Sequence, residues 1–228
     1  MAIALLPIGW RAARRVLQWP EHRFLQEWSA AYRAAAPDAP TGANPGSPPS
    51  AQPPFDALAA AAVERASADV RYDPAYVAID YPGGDVPPDR GVCTDLVVRA
   101  YRDIGVDLQR LVHEDMTAAF GAYPAIWGAD RADANIDHRR VPNLMVYFKR
   151  QGGTVPITTD PADYRPGDVV TWHLGGGLTH VGIVAGTPVA GTDRPLVAHH
   201  VGGRPSVDDV LFAWEIIGHF RWAGPAGR

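Results

Sequence analysis

The hydrophobic period changes part-way along this chain, and that change limits what it can fold into. Between residues 55 and 150 the apolar residues recur at helical spacing; from residue 168 they fall in short runs that alternate, as in strands. A helix is expected from Phe55 to Val70. A second starts at Cys93, with Leu96, Val97, Ala100, Tyr101 and Ile104 on one face and Gly105 as its stop. A third spans Asp107–Ala119, with Leu108, Leu111, Val112 and Ala119 as its stripe. A fourth spans Val141–Phe148, with Pro142 in its first turn and Gly152-Gly153 after it. Residues 120–140 read as irregular. Strands are expected at Asp168–Trp172, Leu178–Val184, Pro195–Val201 and Trp214–Trp222, separated by Arg165-Pro166-Gly167, Gly175-Gly176-Gly177 and the loop Gly186–Arg194. Helices first and an antiparallel meander afterwards mean an α+β fold, with helices packed on an antiparallel sheet.

The N-terminal segment differs from the rest. Residues 1–36 carry Trp10, Leu17, Trp19, Leu25, Trp28 and Tyr32 among Arg, Glu and Gln, and read as an amphipathic helical arm broken at Pro20. A packing arm is the favoured role, and membrane-surface contact the less favoured one. Residues 37–54 hold seven of the prolines and form an extended linker, so the domain proper runs from 55 to 228. Met1–Trp10 is too short to span a bilayer. Its arginines follow the apolar run instead of preceding it, so no clear secretory signal is read. The net charge of −4 gives no basic footprint for nucleic acid.

Cys93 is the only cysteine, which excludes an internal disulfide and a cysteine-based zinc cluster. Alone, such a residue reads slightly better as core filler. Yet it opens a helix, where free N–H groups and the positive end of the macrodipole favour thiolate. A thiolate nucleophile needs a base, and the base needs an orienting partner. His180 and His199 lie on adjacent expected strands. Leu178, His180 and Gly182 share a face while Val181 and Ile183 fill the other. A sheet packed on the Cys93 helix would bring both histidines toward the thiol, one as base and one fixing its tautomer.

This order of features resembles the NlpC-type cysteine peptidases, rearranged relatives of papain that cleave cell-wall peptides. The matching residues are Cys93, Pro166-Gly167-Asp168-Val169-Val170, His180-Val181-Gly182-Ile183-Val184 and His199, with Tyr81 twelve residues ahead of the cysteine. From about Tyr72 to Trp222 the chain also resembles the uncharacterised bacterial domain-of-unknown-function 1287 family. The blocks that carry this are Gly91-Val92-Cys93-Thr94-Asp95, Asn135–Leu144 and Gly218-His219-Phe220-Arg221-Trp222. The resemblance implies a papain-like fold with Cys93 as nucleophile, His180 as base and His199 as third member. Tyr81 and the Cys93 N–H would serve the oxyanion. It also implies a peptidoglycan or peptide substrate, no cofactor, and a periplasmic or cell-envelope setting. NlpC-type enzymes usually read Asp-Cys-Ser-Gly; Val92-Cys93-Thr94-Asp95 departs from this and leaves the substrate open.

Other readings stand beside these. The same triad could serve acyl transfer or deamidation, or the domain could be a catalytically silent wall-binding module. His173, His180, His199 and His200 could form a metal cluster, but that leaves Cys93 unexplained and lacks ligand spacing. Asp95 either caps its helix, the favoured role, or contacts substrate. Asp137, His138, Arg139 and Arg140 either line the cleft or brace a loop, in equal balance. Asp168 reads as a turn residue, His113 and His219 as packing or surface histidines, and His200 as structural. Trp172, Trp214 and Trp222 read as core residues.

Overall fold

An antiparallel sheet of five strands carries the helices on one face. The computed structural model describes residues 22–34 and 53–225. In chain order the helices are α1 His22–Ala34, α2 Pro53–Ala66, α3 Cys93–Asp103, α4 Leu108–Ala118 and α5 Val141–Arg150. The strands are β1 Arg71–Tyr72, β2 Arg90–Gly91, β3 Val169–Gly175, β4 Leu178–Pro188, β5 Pro195–His199, β6 Ser206–Asp208 and β7 Glu215–Phe220. β1 and β2 form a separate parallel pair, and the large sheet runs β6-β5-β4-β3-β7. The fold class is α+β, as the change of period implies. The expected meander holds for β3, β4 and β5 and continues into β6, a strand the sequence did not signal. β7 does not continue it. It returns to the far edge and pairs with β3, Val170 opposite His219.

Three of the helices have a local reason to start. Asp95 Oδ2 accepts the Val92 N–H at 2.7 Å and so closes the first turn of α3. The Asp107 side chain accepts from Arg110 N and caps α4. Leu108, Val112 and Met116 form the buried stripe of α4, with Met116 in the place expected for Ala119. α2 begins at Pro53, two residues inside the expected linker, because proline is preorganised for a first helical turn. The remaining linker, and the arm through residue 21 with Pro20, lie outside the described residues. What is described of the arm packs on the domain: Tyr32 donates to Met145 O at 2.8 Å, and Arg33 pairs with Glu215. Among the described residues no helix is long and apolar enough to cross a membrane.

The sheet divides two apolar clusters. Beneath the helices, Val169, Val181, Ile183, Ala198, Ile217 and Phe220 meet residues of α2, α3, α4 and α5. Tyr101, Tyr147, Phe148, Phe220 and Trp222 pack ring against ring there, at centroid separations of 5.4–5.9 Å. Such pairs contribute about 0.5–1.5 kcal/mol each beyond area burial. On the other face, Val170, Trp172, Val184 and Val197 meet Tyr164 and Leu211.

The Gly218–Trp222 block packs tightly on both faces of β7. A Cβ at Gly218 would lie 2.6 Å from Thr171 Oγ1 and 2.7 Å from the Phe220 ring. His219 and Arg221 both grip Asp168, at 2.8 Å from Nε2 of one and 2.8 Å from Nε of the other. Phe220 and Trp222 fill the helix-side core.

Candidate active site

The hydrogen-bond alternation of β4 explains where Cys93 sits. Val184 exchanges bonds with the segment leading into β3, donating to Asp168 O at 2.8 Å and accepting from Gly167 N at 2.9 Å. Even-numbered residues of β4 therefore face β3, and odd-numbered ones face β5. β5 stops pairing at Gly182 opposite His199. The next N–H toward β5, that of Val181, lies close enough to the Cys93 thiol to favour its ionised form. Cys93 thus lies at the fork where β4 and β5 part, one residue from His180 along β4.

The histidines lie on the face of the sheet opposite the helices. From the sequence, a sheet packed on the Cys93 helix is expected to bring them to the thiol. Alternation instead places Val181 and Ile183 under the helices and turns His180 and His199 to the face of Trp172. His180 Nε2 lies 3.0 Å from His199 Nδ1. The His180 ring stacks on Trp172 at 5.6 Å and meets the edge of Trp214 at 5.9 Å. Trp172 is wholly buried and donates its Nε1–H to Leu211 O. Gly182 makes the histidine contact possible, since a Cβ there would press on His199 Cβ at 3.1 Å.

Burial sets the charge states. It pushes the Cys93 thiol up to about 12, with Asp95 adding to the rise and the N–H groups of Val181, Thr94 and Cys93 itself opposing it. Burial, helped by His199 and His200, holds His180 well below the usual histidine range. Burial also lowers His199, against the pull of Asp208. The resting pair is a neutral thiol and a neutral imidazole.

Tyr81 does not join this group. It is 43 % exposed and packs edge-on against His113 of α4, at 5.0 Å. The tyrosine that feels the charge of Cys93 is Tyr72, which the sequence does not single out. β1 lays Tyr72 opposite Gly91, and its ring meets His200 edge-on at 5.1 Å. Burial first, then Cys93 and Asp95, raise its phenol above the usual range.

Asp95 and Arg139 form a buried ion pair, Nε to Oδ1 at 2.8 Å and Nη2 to Oδ2 at 3.1 Å. Arg139 also donates to Ala75 O at 2.9 Å, so one guanidinium ties the segment after Tyr72 to the Cys93 helix. With both side chains only 2–3 % exposed, this is bracing, and neither residue presents a free group to substrate. His138 is likewise buried, and burial, with Arg139 next, drives it down to about 3. His200 turns to Gly203 O at 3.2 Å and His173 to Glu215 at 3.6 Å, so the four histidines do not converge. Among the described residues no group of three or more His, Cys, Asp or Glu is arranged to hold a metal ion.

A family model described as a domain of unknown function (DUF1287) matches residues 59–222. The chain belongs to this family. Its match includes Cys93, both histidines and the whole sheet. Among curated proteins the chain is similar to the uncharacterized protein YijF of Escherichia coli (strain K12). The two are 50 % identical over 166 residues, which cover 73 % of this chain and 80 % of that protein. No solved structure matches.

Proposed function

We propose that this DUF1287 domain is a papain-like cysteine hydrolase of the NlpC type that cleaves an amide bond, with peptidoglycan stem peptide as substrate in the cell envelope. The observation that carries the reading is the fork at Val181. There the only cysteine of the chain, at a helix N-terminus, meets the strand residue next to a histidine that is paired to a second histidine.

In the proposed step the Cys93 proton passes to Nδ1 of His180 as the sulfur attacks the substrate carbonyl. The N–H groups of Cys93 and Thr94, in the first turn of α3, face the oxyanion, and Tyr72 takes the positioning role that the family resemblance implies for Tyr81. His180 then returns its proton to the leaving amine, which departs and leaves a thioester. Water, deprotonated by His180, releases the acid and restores the thiol. Because thiol and imidazole both rest neutral, no ion pair has to be maintained in a buried site before substrate arrives.

The test is incubation of the purified full chain and its Cys93→Ala variant with purified peptidoglycan, with the fragments mapped by mass spectrometry. The expected result is stem-peptide cleavage by the wild type alone. Fragments independent of Cys93 would overturn the reading, and no fragments from either protein would overturn it in favour of a silent wall-binding module.

A further inference from the structure

The strand that the sequence did not signal, β6, sets Asp208 against the histidine pair. Asp208 Oδ2 lies 3.3 Å from His199 Nε2, and Ser206 Oγ donates to the same oxygen. The contacts form one line: Asp208 Oδ2, His199 Nε2, His199 Nδ1, His180 Nε2. We propose that Asp208 is a positioning residue that fixes the tautomers of both histidines and thereby leaves the lone pair of His180 on Nδ1. This rests on the hydrolase reading above for its catalytic consequence, but not for its structural content.

The logic is donor and acceptor bookkeeping along the line. A carboxylate only accepts, so Nε2 of His199 carries the hydrogen. A neutral imidazole carries one hydrogen, so Nδ1 of His199 is an acceptor and Nε2 of His180 must donate to it. The second nitrogen of His180, Nδ1, is then the basic one. Burial keeps both rings neutral, as this sequence of roles requires. Without Asp208 the whole line can reverse: His199 donates from Nδ1, His180 accepts at Nε2, and Nδ1 of His180 carries a hydrogen where the mechanism needs a lone pair. One carboxylate at the sheet edge thus decides whether the inner histidine is a base toward the thiol.

The groups facing the pair are few. Asp208 and Ser206 come from β6 and His200 from just past the end of β5, with Asp95 of α3 acting on His200 in turn. Asp208 is 53 % exposed, whereas the His199 side chain is 1 % exposed. Replacing the carboxylate therefore disturbs little packing. The neighbouring Asp209 pairs with Arg194 and makes a charge-matched control.

Two-bond proton–nitrogen spectra of the ¹⁵N-labelled full chain at neutral pH read the tautomers directly. The wild type should show His180 and His199 both protonated on Nε2. Asp208→Ala should move His180 toward the Nδ1-protonated form. Asp208→Asn, whose amide oxygen still accepts, should restore the wild-type pattern, and Asp209→Ala should leave it unchanged. Peptidoglycan cleavage should fall roughly tenfold in kcat for Asp208→Ala, below the range for losing a general base outright, with KM little changed and recovery in Asp208→Asn. An unchanged His180 tautomer in Asp208→Ala would overturn the proposal. A tautomer shift in a protein that cleaves nothing even as wild type would instead sink the hydrolase reading and leave the role of Asp208 standing.

Discussion

Two histidine–aspartate arrangements lie in this sheet, and they are built for opposite purposes. In the first, Asp168 is fully buried and accepts from His219 Nε2, from Nε and Nη2 of Arg221 and from the Arg165 N–H. The other nitrogen of His219 faces Pro156 O at 2.9 Å, and its ring stacks on Tyr164 at 4.2 Å. Every polar atom of His219 and Asp168 is committed to a protein partner. In the second, the line from Asp208 through His199 uses only Nε2 of His180. Nδ1 is not part of it, and the carboxylate end is half exposed. The same residue types brace the β3–β7 edge of the sheet and, in the proposed mechanism, hold a base toward the β5–β6 edge. The difference lies in whether the chain of contacts closes.

That contrast breaks most visibly at Asp168. Asp168→Ala should strand a histidine and a guanidinium and cost about 3–5 kcal/mol, read as a lower urea midpoint, because one partner of a buried charged group has been removed. Asp208→Ala should leave the midpoint nearly in place while lowering activity. If the two variants lost equal stability, the distinction between a closed brace and an open line would fail.

Gly182 sharpens the comparison from the second arrangement. A Cβ there meets Val197 Cγ1 at 2.7 Å, Ala198 O at 2.9 Å and His199 Cβ at 3.1 Å. Since one of these is backbone, the strands must separate. Gly182→Ala should cost about 1–3 kcal/mol, as overpacking does, and should slow cleavage by parting His180 from His199. A fully active, fully stable Gly182→Ala protein would show that the pair does not need this approach.

The smallest effect concerns the thiol. With Cys93 raised from 9.0 to about 12, alkylation by iodoacetamide should be slow at neutral pH and keep rising through alkaline pH, followed by intact mass. The same shift carries a stability term that is fully present below about pH 9 and is lost as pH rises toward 12, because the unfolded thiol ionises first. A rate plateau near pH 7 would instead indicate a preformed thiolate–imidazolium pair.

Much of this was legible in the sequence where periodicity is strong. The stripe Leu96, Val97, Ala100 and Tyr101 announced α3, and the alternation of Leu178–Val184 announced β4 together with its two faces. β6 was not legible: Ser206-Val207-Asp208 has one apolar residue in three, too short a run to display a period, and Asp208 was missed with it. Tyr72 was missed for a similar reason. Its place beside Cys93 depends on a two-residue parallel pairing across an excursion of the chain, which leaves no pattern in linear order. The same excursion carried Tyr81 away to α4. Asp95 could be read as a capping residue from its place in the first turn, but its partner Arg139 is 44 residues on and only the fold brings it there.

The most direct measurement is cleavage of purified peptidoglycan by the wild type, Cys93→Ala and His180→Ala, with fragments and any covalent enzyme adduct weighed by mass spectrometry. The account predicts stem-peptide fragments from the wild type, none from either variant, and an acyl adduct confined to Cys93. Fragments released equally by all three proteins, or an adduct on another residue, would contradict it.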